Sequence, residues 1–214
     1  MPRTRQHPER RQRPERRRRS DGERSRTAIL DEAARLATVE GLGGLSIGRL
    51  ADSVGMSKSG LFAHFGSKEE LQLATVETAG SIFATQVLEP AAGATGIERL
   101  RRIVDGYLRY VEVDTFPGGC FFAAVLAEVD MQPGPVRDRL VAFMNEWLAL
   151  LEAAIREAQD EGTVDRAEDP AQLAFELEAL LMFANLQFVI ARTRDPLEWA
   201  RQAIERRLAT RSRR

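Results

Sequence analysis

Lysine, cysteine and histidine are scarce in this 214-residue chain, which has two lysines among its 31 basic residues, one cysteine and two histidines. The single cysteine, Cys120, excludes an internal disulfide framework and is typical of a reducing cytoplasm. The histidines and the cysteine are far apart in sequence, so they offer little material for a zinc site or a Cys/His catalytic pair. We therefore expect no metal, no cofactor and no enzymatic centre.

Long apolar runs are also absent from the sequence. Charged or polar residues interrupt every apolar stretch before it reaches the ~18 consecutive apolar residues that a membrane span needs. With 43% hydrophobic residues, the chain can still bury an ordinary core. The composition therefore predicts a soluble cytoplasmic protein that has no membrane partner.

The charge is distributed unevenly, although the net charge is only −1. Residues 1–26 contain eleven arginines and four acidic residues, which gives this end a net charge of +7. Residues 1–24 also contain three prolines, and Met1 is their only large apolar residue. This composition predicts a disordered Arg-rich arm over residues 1–24. The arm either binds nucleic acid, or is a solvated tail, or reflects a start codon assigned too far upstream.

Apolar residues recur at helical spacing along the rest of the chain, with no convincing alternating strand, so we predict an all-α fold of about nine helices. The first helix is expected from about Ser25 to Glu40. Two short helices, at about 47–54 and 57–64, follow it and are joined by a turn that contains Gly55. Packed on the first helix, they form a three-helix helix-turn-helix unit.

Both lysines of the chain lie in one short segment, SKSGLFAHFGSK, at residues 57–68. Lys58 and Ser59 fall at the start of the second short helix, where the helix dipole attracts phosphate. Gly60 removes a side chain from this helix at a cost of about 1 kcal/mol, which packing alone does not explain. Lys68 opens the next helix as a mobile point charge. The segment is therefore typical of a helix that enters the major groove of DNA with phosphate donors at both ends.

Residues 26–75, RTAILDEAARLATVEGLGGLSIGRLADSVGMSKSGLFAHFGSKEELQLAT, resemble the N-terminal domain of the tetracycline-repressor (TetR) family of transcriptional regulators. The core of the match, SxxxLAxxxGxSKxxLFxHFxSKEEL, is highly specific. The resemblance implies a dimeric all-α protein whose C-terminal domain binds a small effector that releases it from operator DNA. It also implies that Lys58 faces base edges or phosphate and that Lys68 holds phosphate.

The segment departs from the family pattern at three places. Phe62 replaces a tyrosine whose hydroxyl binds phosphate, and Ser59-Gly60 replaces the commoner Gly-Thr. Gly48 stands where other members present a base-reading side chain, which leaves Arg49 as the nearest substitute. The helix-turn-helix domain is expected at residues 25–75. The predicted DNA-binding residues are Arg26, Thr27, Ser46, Arg49, Ser57, Lys58, Ser59, Gly60, Phe62, His64 and Lys68.

Residues 76–210 are expected to form a helical domain for effector binding and dimerisation. Its aromatic residues at helical spacing indicate either plain core or an apolar pocket with a few polar groups. Cys120 is either an inert buried thiol or a redox sensor. The candidate pocket residues are Tyr107, Val111, Phe116, Cys120, Phe121, Phe143, Trp147, Phe175, Phe183, Asn185 and Gln187.

The segment 173–191 is apolar on nearly all sides, which predicts a helix with two buried faces. Either one of these faces packs against a second subunit, or the helix is fully internal to the chain. The candidate interface residues are Leu177, Leu181, Asn185, Phe188, Trp199, Ala203 and Ile204.

The expected function is therefore a homodimeric repressor, with double-stranded operator DNA and an unidentified small apolar or aromatic effector as its partners. Two alternatives remain open at this stage. One is an architectural DNA-binding protein without an effector. The other is a helical small-molecule enzyme, for which the sequence offers no clustered nucleophile, acid–base pair or metal site.

Overall fold

The structure is a computed structural model that describes residues 13–129 and 133–209. These ranges contain nine α-helices and no strand, so the predicted all-α fold is confirmed. The helices are α1 (Arg13–Glu40), α2 (Ile47–Ser53), α3 (Lys58–Phe65), α4 (Lys68–Phe83), α5 (Gly96–Glu112), α6 (Phe121–Val129), α7 (Pro135–Asp160), α8 (Pro170–Ala191) and α9 (Asp195–Leu208).

Serine side chains fix the starts of the three helices that follow α1. The Oγ atoms of Ser46, Ser57 and Ser67 each accept a hydrogen bond from the backbone N–H three residues later, at 3.2, 3.1 and 3.0 Å. Such N-caps satisfy amide donors that the first turn of a helix leaves unpaired. The predicted starts of α2, α3 and α4 are therefore confirmed.

The first helix begins at Arg13, twelve residues before the predicted start at Ser25. Arginine and glutamate are good helix formers, and Pro14 stands at the second helical position, where its missing N–H breaks no helical hydrogen bond. Residues 13–24 of the expected disordered arm are therefore helical. Residues 1–12 of that arm lie outside the described part of the chain.

Helix α4 ends as a regular α-helix at Phe83. The chain continues as a π-helical turn over Ala84–Leu88 and a short 3-10 turn over Glu89–Ala91. Helix α5 packs closely against the π-helical turn, because a Cβ atom at Gly106 would lie only 2.8 Å from the Val87 carbonyl oxygen. A larger residue at position 106 would push the two elements apart.

An aromatic cluster lies at the centre of the C-terminal domain. The ring of Phe83, at the end of α4, is almost fully buried, and its surrounding rings lie 5.2–6.3 Å away in edge-to-face geometry. Edge-to-face pairs at such distances stabilise a core beyond the burial of their area. The surrounding residues, from α5, α6 and α7, are Tyr107, Tyr110, Phe122, Phe143 and Trp147.

Candidate DNA-binding and effector sites

Helix α3 divides its residues between the core and the surface. Leu61 and Phe65 are buried against the rest of the N-terminal unit. Lys58 and Ser59 are exposed, and the ring of Phe62 is 49% exposed. The helix is therefore held by one face and presents the other, polar at its N-terminus, to a partner.

The side chain of Lys58 packs against helix α2 at Gly48. A Cβ atom at position 48 would lie 3.1 Å from Lys58 Cε and 3.2 Å from Nζ, so glycine leaves the room that this side chain occupies. Arg49, proposed above as the substitute base reader, places Nη2 2.5 Å from Glu40 Oε1, while its side chain remains 66% exposed. The arginine is therefore exposed, but its charge is partly compensated by an acidic neighbour.

The other predicted DNA-binding residues lie around α3. The Lys68 Nζ, at the start of α4, donates to the Gly43 carbonyl at 2.5 Å. The Arg26 guanidinium lies 4.8 Å above the centre of the Phe65 ring, in a cation–π arrangement. Thr27 donates its hydroxyl to the Glu23 carbonyl at 3.1 Å, and His64 is half-buried. The structure thus brings these residues to one end of the molecule, and their contacts with DNA stay predictions.

A cavity of about 360 Å³ lies between α4 and α7. Its walls include the rings of Phe83, Phe143 and Trp147, and Gly80 lines it without a side chain. Arg139 lies among its lining residues and holds Glu77 in a two-point contact, with Nε–Oε1 at 2.5 Å and Nη2–Oε2 at 3.2 Å. The remaining lining residues are Ser81, Ala84, Leu88, Glu146 and Leu150.

The cavity only partly matches the predicted pocket. Phe143 and Trp147 line it, as expected, but sequence reasoning missed the whole α4 wall. Gly80 was the available signal, because a glycine inside a helix costs about 1 kcal/mol relative to alanine. Phe175 and Phe183 were wrongly placed, because both lie on the surface with 65% and 62% of their area exposed. The other predicted pocket residues do not line the cavity: Tyr107, Val111, Phe116, Cys120, Phe121 and Asn185 are buried, and Gln187 is half-buried.

Beside Trp147 lies a half-buried carboxylate, that of Glu178. The indole N–H of Trp147 donates to Glu178 Oε2 at 2.6 Å. Burial raises the pKa of Glu178 to about 7, and the hydrogen bond from Trp147 opposes that rise. The nearby Tyr107 hydroxyl is buried without a hydrogen-bond partner among the described residues, and burial also raises its pKa. The interior therefore holds polar atoms whose hydrogen-bonding capacity is not fully used.

Cys120 lies at the start of α6 and is fully enclosed. Burial raises the pKa of its thiol to about 11, so the thiol is protonated at neutral pH and poorly nucleophilic. Its backbone N–H donates to Asn185 Oδ1 at 2.8 Å, and the Phe121 N–H donates to the Tyr110 hydroxyl at 3.3 Å. Asn185 therefore satisfies a backbone donor at the N-terminal end of α6.

Helix α8 has one buried and one exposed apolar face. The predicted interface residues Leu177, Leu181, Asn185, Phe188 and Ile204 face the interior of the chain, Ala203 is half-buried, and only Trp199 is strongly exposed, at 64%. The exposed apolar face follows helical spacing and continues onto α9. The residues of this exposed stripe are Phe175, Ala179, Phe183, Leu186, Ile190 and Trp199.

Two features of the described residues bear on other functions. Helix α8 is long and apolar enough to span a membrane by length and composition, but its inner face packs against α7 and α9. No group of three or more His, Cys, Asp or Glu side chains within residues 13–129 and 133–209 is placed to hold a metal ion.

Family models match most of the chain. Residues 29–75 match the bacterial regulatory proteins of the tetR family, and residues 96–204 match the tetracyclin repressor-like C-terminal domain. The matched ranges coincide with the helix-turn-helix unit and with α5–α9.

Individual relatives agree with these matches. The HTH-type transcriptional repressor NemR of Escherichia coli is 25% identical over 189 residues, which are 87% of this chain and 94% of that protein. The crystal structure of a TetR transcriptional regulator from Chloroflexus aurantiacus superimposes with a TM-score of 0.82 at 25% identity, covering 90% of this chain and 98% of that one. AibR, solved with isovaleryl coenzyme A and operator DNA, gives a TM-score of 0.66 at 26% identity, with 85% and 95% covered. The chain therefore belongs to the TetR family and is a DNA-binding transcriptional regulator.

Proposed function

We propose that the protein is a homodimeric repressor that binds operator DNA through α3 and is released by a small apolar or aromatic effector bound in the C-terminal domain. The observation that carries the proposal is the placement of the only two lysines. Lys58 and Lys68 are both exposed, at the N-termini of two successive helices. Phosphate binds at such N-termini because the helix dipole is positive there and each serine cap bonds only one amide of the first turn.

The two lysines have different expected roles. Lys58 stands at the leading end of α3, the helix proposed to enter the major groove, where it reaches base edges. Lys68 stands outside that helix and meets the flanking backbone, so it adds affinity that does not depend on sequence. The region from 27 to 75 has four basic and six acidic residues, so each lysine is a large part of its positive charge.

Replacing each lysine by alanine is expected to separate these roles. Lys68→Ala should weaken binding to operator and to random duplexes by similar factors. It should also reduce the slope of log K against log salt concentration by about 0.9. Lys58→Ala should cost about 1–3 kcal/mol on operator and relax base preference. Fluorescence anisotropy titrations at several salt concentrations measure both quantities.

Arg156→Ala supplies the control, because this exposed arginine lies on α7 and pairs with Glu152 four residues before it. It removes one positive charge from the other domain and should leave both DNA affinities near those of the parent. If Lys58→Ala weakened operator and random DNA by the same factor, the base-reading role of Lys58 would be refuted.

The exposed stripe supports a dimer. Phe183 and Trp199, on different helices, present apolar surface that a monomer in water leaves unburied. Exposed apolar patches of this kind mark association surfaces. Two helix-turn-helix units of a dimer read half-sites about one helical turn apart, ~34–36 Å, so a dimer formed through the stripe is expected to hold its two α3 helices at that spacing.

The cavity between α4 and α7 supports an effector of limited size. Its volume of about 360 Å³ falls at the lower end of the ~300–1,000 Å³ typical of ligand pockets. Aromatic walls from Phe83, Phe143 and Trp147 favour a flat apolar ligand that stacks on or packs against them. The structural relative AibR was solved with both isovaleryl coenzyme A and operator DNA.

Filling the cavity is expected to abolish the effector response. A Cβ atom at Gly80 would lie 3.6 Å from Phe143 Cε2, an ordinary contact, so Gly80→Ala leaves the site usable. Gly80→Leu adds three further carbons toward the cavity and should remove the thermal stabilisation that aromatic metabolites give the parent protein. The measurement is the rise in melting temperature that each ligand causes. A panel of aromatic metabolites and drugs is screened on the parent protein, and each hit is then titrated on both variants. Equal shifts for Gly80→Leu and the parent protein would place the effector elsewhere, and a parent without any hit would favour an effector-free DNA-binding protein.

A further inference from the structure

The loop between α1 and α2, residues 41–44 with the sequence GLGG, is bound by a carboxylate from the other domain. Glu128 lies on α6, yet its Oε2 accepts from the Leu42 N–H at 2.7 Å and its Oε1 accepts from the Gly43 N–H at 2.6 Å. Two successive backbone N–H groups that converge on one anion form a nest. Here the anion belongs to the C-terminal domain of the same chain.

The glycines of this loop are explained by the carboxylate. A Cβ atom at Gly41 would lie 2.6 Å from Glu128 Oε2, and one at Gly43 would overlap Glu128 Oε1. Gly41 also has a φ of +82°, in the left-handed region that favours glycine. One glycine in the left-handed region is enough to end a helix, and Gly41 fills that role. Because Glu128 also comes close to Gly43, the loop is shaped around the Glu128 carboxylate.

The opposite edge of the same loop is bound by α4. Gln72 Nε2 donates to the Leu42 carbonyl at 2.8 Å, and Lys68 Nζ donates to the Gly43 carbonyl. The loop therefore receives hydrogen bonds on its carbonyl groups from α4 and gives its amide hydrogens to α6. Because it leads directly into α2 and then α3, its position sets where the DNA-reading helix begins.

Helix α6 also contacts the wall of the cavity. The ring of Phe122 stacks on that of Phe143, with centroids 3.4 Å apart and planes 7° apart, and Phe143 lines the cavity. The N-terminal end of α6 is fixed by Asn185 and Tyr110, as described above. One short helix thus connects the interior of the C-terminal domain to the loop before the helix-turn-helix.

We propose that Glu128 is a positioning residue for DNA reading, by which the C-terminal domain fixes the loop 41–44 and hence the placement of α2 and α3. This rests on the proposed function, because it assigns Glu128 a part in operator binding. A loop that is already fixed loses less conformational entropy when α3 enters the groove. Glu128 therefore favours operator binding although its own charge repels DNA.

The test compares Glu128→Gln with Glu69→Gln. Glutamine keeps the size of the side chain but has one acceptor oxygen, so one of the two loop amides loses its partner. Glu128→Gln is expected to weaken operator binding by roughly tenfold or more, in line with the loss of a hydrogen bond to a charged group. Glu69 is exposed on the first turn of α4 and does not contact the loop amides. The Glu69→Gln substitution therefore also removes one negative charge, in this case from the DNA-binding domain, and leaves the hydrogen bonds of Glu128 in place. That control should bind DNA unchanged or slightly more tightly.

Hydrogen exchange supplies a second readout that needs no DNA. The amides of Leu42 and Gly43 should exchange at least several-fold faster in Glu128→Gln than in the parent protein and in Glu69→Gln, while the amides of α5 stay unchanged. Unchanged protection at both amides, or operator binding as tight as that of the parent, would overturn the role of Glu128. A parent protein without any operator preference would instead refute the proposed function, and the exchange data would still decide whether Glu128 fixes the loop.

Discussion

Phe183→Glu is expected to convert the proposed dimer into a monomer and to lower operator affinity by at least about 100-fold. Phe183 stands in the middle of the exposed stripe of α8, with Leu186 and Ile190 further along the same face. In a two-fold interface each residue occurs twice, so the substitution would bury two like charges near each other. An unpaired buried charge costs several kcal/mol, so the substitution strongly opposes association through the stripe.

The loss of DNA binding follows from the loss of the dimer. Two copies of α3 joined in one particle bind two half-sites with a high effective concentration, and a monomer loses that advantage. Light scattering at micromolar concentration gives the mass, and anisotropy on operator DNA gives the affinity. Val141→Glu is the matched control, since it introduces the same charge at an exposed valine on α7 outside the stripe. A Phe183→Glu protein that remained dimeric would show that the interface lies elsewhere.

Phe83→Ala is expected to lower the free energy of unfolding by about 3–5 kcal/mol, the range for a buried phenylalanine whose space cannot collapse. The ring lies among aromatic neighbours from α5, α6 and α7, and every one of them loses a packing partner. Urea unfolding at a fixed protein concentration measures the change, because the stability of a dimer depends on concentration.

Phe62→Ala provides the comparison, because this phenylalanine is half exposed on α3. Surface substitutions change stability by about 0.5 kcal/mol or less, so the parent and Phe62→Ala should unfold at nearly the same urea concentration. A loss below about 1 kcal/mol for Phe83→Ala would contradict its central place in the core.

Local signals explain why the N-terminal unit was predictable. Ser46, Ser57 and Ser67 cap helices by bonds that span three residues, so the sequence alone contains both partners. Leu61 and Phe65, four positions apart, lie on one face of α3, and both are buried. The resemblance over residues 26–75 then added the DNA-binding role.

The faces of α8 were not predictable in the same way. A helix that is apolar on all sides has no amphipathic phase, so nothing in the sequence distinguishes Leu177, which is buried, from Phe183, which is exposed. The positions of α7 and α9 decide that assignment. The predicted pocket therefore includes Phe183, which is exposed, and the predicted dimer interface includes Leu177, which is buried.

Contacts between distant residues were also beyond sequence reasoning. Glu128 and Gly43 are 85 positions apart, and a single chain gives no sign that one shapes the surroundings of the other. The π-helical turn after Phe83 likewise depends on the close approach of α5 at Gly106.

Selection of DNA fragments by the full-length protein shows whether α3 reads an operator sequence. The protein is mixed with fragments of genomic DNA at physiological salt, and the retained fragments are sequenced, with Lys58→Ala treated in parallel. We expect the parent to enrich a two-fold symmetric sequence whose half-sites are centred about one helical turn apart, ~34–36 Å. Lys58→Ala should lose or broaden that enrichment. Retention of fragments without any shared sequence, equal for both proteins, would contradict the assignment of α3 as an operator-reading helix.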